Sequence, residues 1–155
     1  MKIIKYQLLL FGALLLLSSF SAVYKAYGLK KEKSLEKNKA IIFIENAFSL
    51  ALQKAKAEHK YIFVDAYARW CGPCRQLKNT SFKNTQTAEY FNKNFINLSV
   101  DMEKGEGVDL ATTWEIQEYP TLLILDFNGK ILFRSIGYLD AKQLTAFGKR
   151  AYQNQ

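Results

Sequence analysis

Tyr61-Ile62-Phe63-Val64-Asp65-Ala66-Tyr67 runs directly into Ala68-Arg69-Trp70-Cys71-Gly72-Pro73-Cys74, and the reading of this stretch decides the fold. Its first seven residues are nearly all apolar and have the length of a strand. Such a run, without polar alternation, predicts a strand buried on both faces in a central sheet. A helix is predicted from Pro73 to about Lys78, because proline suits early helical positions where its missing N–H costs nothing. The chain thus passes from buried strand to helix through Cys71 and Cys74, and the sequence holds no other cysteine.

A loop this short removes little chain entropy, so a structural staple gains little from the spacing, and a disulfide-built scaffold needs more bridges. Zinc normally takes four ligands, and apart from the pair there is only His59, which argues against a metal role. Thiol chemistry fits better. Cys71 at a helix N-terminus meets unpaired amides and the positive end of the helix dipole, which favour its thiolate. Cys74, one turn in, is expected to be less exposed and within reach to form a disulfide. Cys71 is therefore the expected nucleophile and Cys74 the resolving thiol.

Asp65 sits inside the apolar strand, six residues before Cys71. Burial there raises a carboxyl pKa toward neutral, which suits a group that takes the proton of Cys74; the alternative is an aspartate at a strand end, exposed or capping a turn. Pro120 follows Tyr119 and opens an apolar run, a plausible site for a cis bond that leaves the Tyr119 backbone free to pair with an extended substrate. A trans proline opening the strand is the competing reading. Trp70 and Tyr67 either cover the cysteines or simply pack. The expected substrate-contacting set is Trp70, Gly72, Pro73, Tyr119 and Pro120.

Outward from this stretch, Ile41 to Ile44 suits an edge strand, and Asn46 is placed to cap a helix reaching about Glu58. A further helix is expected from about Thr87 to Asn94. Phe95 to Val100 alternates as a strand with one better-buried face would. A short helix follows around Val108 to Trp114, then a strand from Thr121 to Phe127. Asn128-Gly129 signals a hairpin turn back into Ile131 to Ile136, and Asp140 caps a last helix. The order β-α-β-α-α-β-α-β-β-α predicts an α/β domain with a mixed central β-sheet flanked by helices on both sides.

The chain has 155 residues, a hydrophobic fraction of 49% and a net charge of +8. One ordinary domain plus a short extension accounts for the length, and the composition excludes a low-complexity chain. Before residue 40 stand eight lysines against Glu32 and Glu36; from residue 40 onward fourteen basic residues face twelve acidic ones. The basic excess belongs to the extension, which weakens a nucleic-acid reading. Lys2 and Lys5 precede the apolar stretch Leu8 to Leu17 and the small-residue region Ser18-Ser19-Phe20-Ser21-Ala22. That is the order of a secretory signal, with an uncleaved membrane anchor as the alternative. The expected division is a signal peptide or anchor over 1–24, a lysine-rich linker over 25–39 and a globular domain over 40–155.

Val64 to Cys74, Tyr119-Pro120-Thr121, the Asn128-Gly129 turn and Gly137 together resemble thioredoxin over about residues 40–152. The longer stretch from Lys78 to Asn94 is closer to exported bacterial thioredoxin-like proteins and to the C-terminal domain of membrane thiol–disulfide interchange proteins. The resemblance implies a thioredoxin-like fold in which Cys71 attacks, Cys74 resolves, Asp65 handles protons and Pro120 is cis beside them. Three positions depart from thioredoxin: Tyr67 replaces a tryptophan, Tyr119 is bulkier than usual, and Asn97 replaces a lysine that pairs with the buried aspartate. Without that cation Asp65 is expected to be more strongly perturbed.

The expected function is thiol–disulfide exchange outside the cytoplasm, in the reducing direction by analogy with Gly72-Pro73 between the cysteines. Oxidase, isomerase or apocytochrome thiol reductase activity are alternatives, and a thioredoxin-fold binding module or copper metallochaperone is the reading from a different class. The sulfurs carry the electrons, so no cofactor is expected. The expected partners are protein thiols and disulfides and an upstream redox partner such as a membrane electron-transfer protein. Nucleic acid is not expected, and membrane contact is expected only through the N-terminal segment of a periplasmic or inner-membrane-anchored protein.

Overall fold

A computed structural model describes residues 39–153. The expected signal or anchor segment (1–24) and all but the last residue of the expected linker (25–39) lie outside the described residues. The elements follow in the expected order. They are β1 (Ile44–Glu45), α1 (Phe48–Glu58), β2 (Tyr61–Tyr67), α2 (Gly72–Asn79), a 3-10 turn (Ser81–Lys83), α3 (Thr85–Asn94), β3 (Phe95–Asp101) and α4 (Glu106–Thr113). Then come β4 (Thr121–Leu125), β5 (Ile131–Ile136), α5 (Ala141–Lys149) and a final 3-10 turn (Arg150–Tyr152).

The sheet runs β1-β3-β2-β4-β5, with β1, β3 and β2 parallel and β4 antiparallel to both β2 and β5. Successive side chains of β2 leave on opposite faces. Phe63 joins Leu77, Phe82, Phe91, Leu122, Ile124, Leu144 and Phe147 under α2, α3 and α5. Ile62 and Val64 join Ala51, Ala55, Leu98, Leu123 and Trp114 under α1 and α4. The mixed central sheet with helices on both sides is therefore present, and β2 forms part of both cores.

Several boundaries differ from the sequence expectation, each for a local reason. The strand expected over Ile41 to Ile44 shrinks to Ile44–Glu45. The Ile41 amide donates to the Phe82 carbonyl and the Ile42 amide to Asn92 Oδ1, so both bond to the helical layer instead of the sheet. Asn46 does not cap α1. It takes a left-handed φ of 49°, its Oδ1 accepts from the Asp101 amide, and Glu106 Oε1 serves the first α1 amide, that of Phe48. The third helix starts at Thr85, earlier than Thr87, because Asn84 is the cap and accepts from the Thr87 amide at 3.0 Å.

β3 is buried throughout, so its alternation does not mark a wet face; Asn97 and Ser99 are polar but inside. α4 begins at Glu106, directly after Gly105. β4 ends at Leu125 because Asp126 starts the turn, its Oδ1 accepting from the Asn128 and Lys130 amides. Asp140 caps α5 as expected, in a reciprocal pair with Gln143.

Candidate active site

The cysteine pair sits where β2 hands over to α2. Tyr67 ends the strand, the Cys71 amide donates to the Ala68 carbonyl at 3.1 Å, and Cys71 becomes the N-cap of α2. Its Sγ accepts from the Cys74 amide at 3.1 Å. A sulfur in that position faces the amides that have no partner within the helix, and these stabilise its thiolate when the bond is open. Here Cys71 and Cys74 are joined as a disulfide with an S–S distance of 2.03 Å. Gly72 and Pro73 are exposed on the first turn.

The expected contrast in exposure between the two sulfurs is small. Cys71 is 2% and Cys74 1% exposed, because Ala68, Tyr67 and Tyr119 pack against the pair. The Tyr119–Pro120 bond is cis, Pro120 is buried, and its carbonyl accepts from the Gly137 amide at 2.8 Å. Trp70, by contrast, stands 66% exposed beside them. Its Nε1 donates to Glu103 Oε1 at 2.8 Å, and its ring meets Tyr119 edge-on at 5.8 Å. Arg69 next to it pairs through Nε with Asp101 Oδ2 at 2.9 Å. The structure thus gathers Cys71, Cys74, Tyr119 and Trp70 around one patch.

Asp65 lies in β2 on the face covered by α2, fully buried. Ser99, its neighbour across the parallel pair, donates from Oγ to Asp65 Oδ2 at 3.0 Å, while Oδ1 has no hydrogen-bond partner. Burial raises the carboxyl, Lys78 and the Ser99 hydroxyl oppose the rise and Glu45 adds to it, and on balance the group is pushed up to about 6. Near neutrality such a group is largely ionised yet basic enough to accept a proton.

Asn97 stands where thioredoxin has its lysine, and it offers Asp65 no cation. Asn97 turns away, its Nδ2 reaching the Ile42 carbonyl and Asn92 Oδ1. The cation comes instead from α2: Lys78 Nζ lies 4.0 Å from Asp65 Oδ2 and 3.4 Å from the centre of the Tyr67 ring. Sequence reasoning passed over Lys78, Ser99 and Glu103. Lys78 carried a readable signal, since Cys74 and Lys78 are four residues apart and share one face of α2. Ser99 and Glu103 carried none, because their partners lie more than thirty residues away. Among the described residues, no three His, Cys, Asp or Glu side chains cluster to hold a metal ion.

A protein-family model described as a thioredoxin-like domain matches residues 48–152. A protein disulfide-isomerase of Datisca glomerata is 28% identical over 133 residues, 86% of this chain but 24% of that protein. A thiol:disulfide interchange protein DsbD of Pseudoalteromonas atlantica is 28% identical over 106 residues, 66% of this chain and 18% of that protein. The chain therefore spans about a quarter or less of these two relatives. Among solved structures, a protein assigned as a disulphide-isomerase from Bacteroides thetaiotaomicron is 41% identical, with a TM-score of 0.66. That alignment covers 75% of this chain and 96% of the other.

Proposed function

We propose that this chain, which belongs to the thioredoxin-like family, uses Cys71 and Cys74 to exchange thiols and disulfides with other proteins. It is a protein-disulfide oxidoreductase. The observation that carries the reading is Cys71 as N-cap of α2, bonded to Cys74 and accepting from the Cys74 amide.

In the reducing direction, the Cys71 thiolate attacks a client disulfide, forming a mixed disulfide and releasing one client sulfur as a thiolate that takes up a proton. Asp65 then accepts the Cys74 proton, and Cys74 attacks Cys71 Sγ. The Cys71–Cys74 bond forms, the bond to the client breaks, and the second client sulfur leaves. Two electrons pass from the cysteine pair to the client, and an upstream dithiol protein restores the pair by the same chemistry in reverse. Trp70, Gly72, Pro73, Tyr119 and Pro120 form the surface on which the client chain lies, the exposed Trp70 ring offering apolar area and the Tyr119 backbone a strand-like edge.

The setting we propose is extracytoplasmic. The signal-like order of residues 1–24 supports it, and so does the similarity to proteins named DsbD. Exported disulfides persist, so a reductase there has standing substrates. No helix among the described residues is long and apolar enough to cross a membrane.

The test is a Cys74→Ser trap in the native host. Client proteins should accumulate on Cys71 as adducts released by a reducing agent and absent from a Cys71→Ala, Cys74→Ser double variant. Recovery of none, with Cys71→Ala cells indistinguishable from wild type, defeats the proposal. The potential of the pair decides direction: about −270 mV supports a reductase, whereas about −120 mV marks an oxidant.

A further inference from the structure

Asp65 poses a problem that its immediate hydrogen bonds do not solve. A carboxylate with no solvent exposure, a single hydroxyl donor on Oδ2 and nothing on Oδ1 is poorly compensated. Left alone it would be protonated near neutral pH and unable to accept anything. The charged and titratable groups around it come from four directions. Glu45 approaches from β1, Asp101 ends β3 with Arg69 bound to it, Tyr67 lies two residues on in β2, and Lys78 reaches over from α2. Glu45 opposes ionisation, and the Arg69 guanidinium is engaged by Asp101. Among the described residues, Lys78 is the cation within ion-pair distance.

We propose that Lys78 is a positioning residue for the resolving step, its ammonium holding Asp65 as the carboxylate that receives the Cys74 proton while the Tyr67 ring holds the ammonium. This rests on the reading of Asp65 as the base for Cys74. Two observations support it independently of any titration. Lys78 Nζ sits 3.4 Å from the Tyr67 ring centre, a cation–π seat that fixes a long side chain otherwise free to swing into water. The same helix carries the resolving thiol and the counter-ion on one face, so the two keep their spacing when the disulfide opens and closes.

Asp65 is fully buried but the Lys78 side chain is 38% accessible, so solvent reaches the cation and moderates its effect, and methionine keeps most of the lysine stem. In the step itself, the Cys74 thiol proton passes to an Asp65 oxygen. The Cys74 sulfur then bonds Cys71 Sγ with its electron pair, and the leaving group takes the electrons of the broken bond. Lys78 keeps its own proton and charge throughout.

The experiment follows the two-stage reaction of the reduced protein with 5,5′-dithiobis(2-nitrobenzoate). Cys71 attacks first and releases one nitrothiobenzoate, and Cys74 then displaces the second from the mixed disulfide. The pH profile of the second release is measured in wild type, Lys78→Met, Lys78→Arg and Asp65→Asn, alongside the Asp65 carboxyl titration by carbon NMR. The first release shows whether the site is intact.

Lys78→Met should move the Asp65 midpoint and the acid limb of the second release upward together by about one pH unit, slowing that release about fivefold at pH 6 and only about twofold at pH 7. Lys78→Arg should restore both. An unmoved Asp65 midpoint in Lys78→Met overturns the proposal, and so does equal impairment in Lys78→Arg. A midpoint that moves while the second release does not also overturns it. In that case Asp65→Asn tells the two failures apart. If it too leaves the second release unchanged, Asp65 is not the base; if it slows that release, the base stands and Lys78 alone is excluded.

Discussion

Asp65 is held in the sheet at a cost that varies with pH. Its folded carboxyl, pushed up to about 6, binds a proton more tightly than the unfolded chain does. Its contribution to stability is therefore complete below the ordinary aspartate value of about 3.9 and is lost as pH rises through about 6. A shift of about two units corresponds to roughly 3 kcal/mol. Asp65→Asn should thus be more stable than wild type by up to that amount at pH 8 and no more stable below pH 4, read from urea unfolding at the two pH values. The two cysteines, Asp65 and Pro120 could be picked out from the sequence because each breaks a local pattern: paired sulfur, a charge in an apolar strand, a proline before one. Lys78 went unread although its spacing from Cys74 was visible, since only packing shows that it bends back over Tyr67 toward β2.

Helix α4 is fixed at its first turn by a backbone approach. A Cβ built on Gly107 would stand 2.0 Å from the Asp101 carbonyl oxygen and 2.9 Å from its carbon, and neither is a flexible group. Gly107→Ala must push α4 off the end of β3. That disturbs Glu106, which accepts from the first α1 amide, and Asp101, which holds Arg69 beside the disulfide. The expected loss is about 1–3 kcal/mol, seen as a lower urea midpoint with little change in slope. Gly72→Ala is the comparison: its Cβ would meet only the end of Arg75 at 3.9 Å, and the midpoint should barely move. These same contacts explain why element boundaries were harder to read than element order. Asn46 bonds to Asp101 and the start of α1 to Glu106, partners more than fifty residues away that no local window contains.

At the scale of the molecule, the topology was legible because it follows from few rules: alternating units give parallel neighbours, and the Asn128-Gly129 turn returns β5 antiparallel. The full burial of β3 was not legible, because Asn97 and Ser99 read as a wet face until Asn92, the Ile42 carbonyl and Asp65 supply their partners. The sheet order also puts β2 in the middle, hydrogen-bonded to β3 on one edge and β4 on the other, with a packed layer over each face. No edge or face of β2 is free to loosen alone. Its amides from Ile62 to Ala66 should therefore exchange with deuterated water slowest among the described residues, at a rate set by global unfolding, as native-state hydrogen exchange by NMR would show. The sulfur pair thus follows directly on a strand held on both edges and both faces, and if that exchange pattern is found, the flexing that brings two sulfurs into line falls to the protein it acts upon.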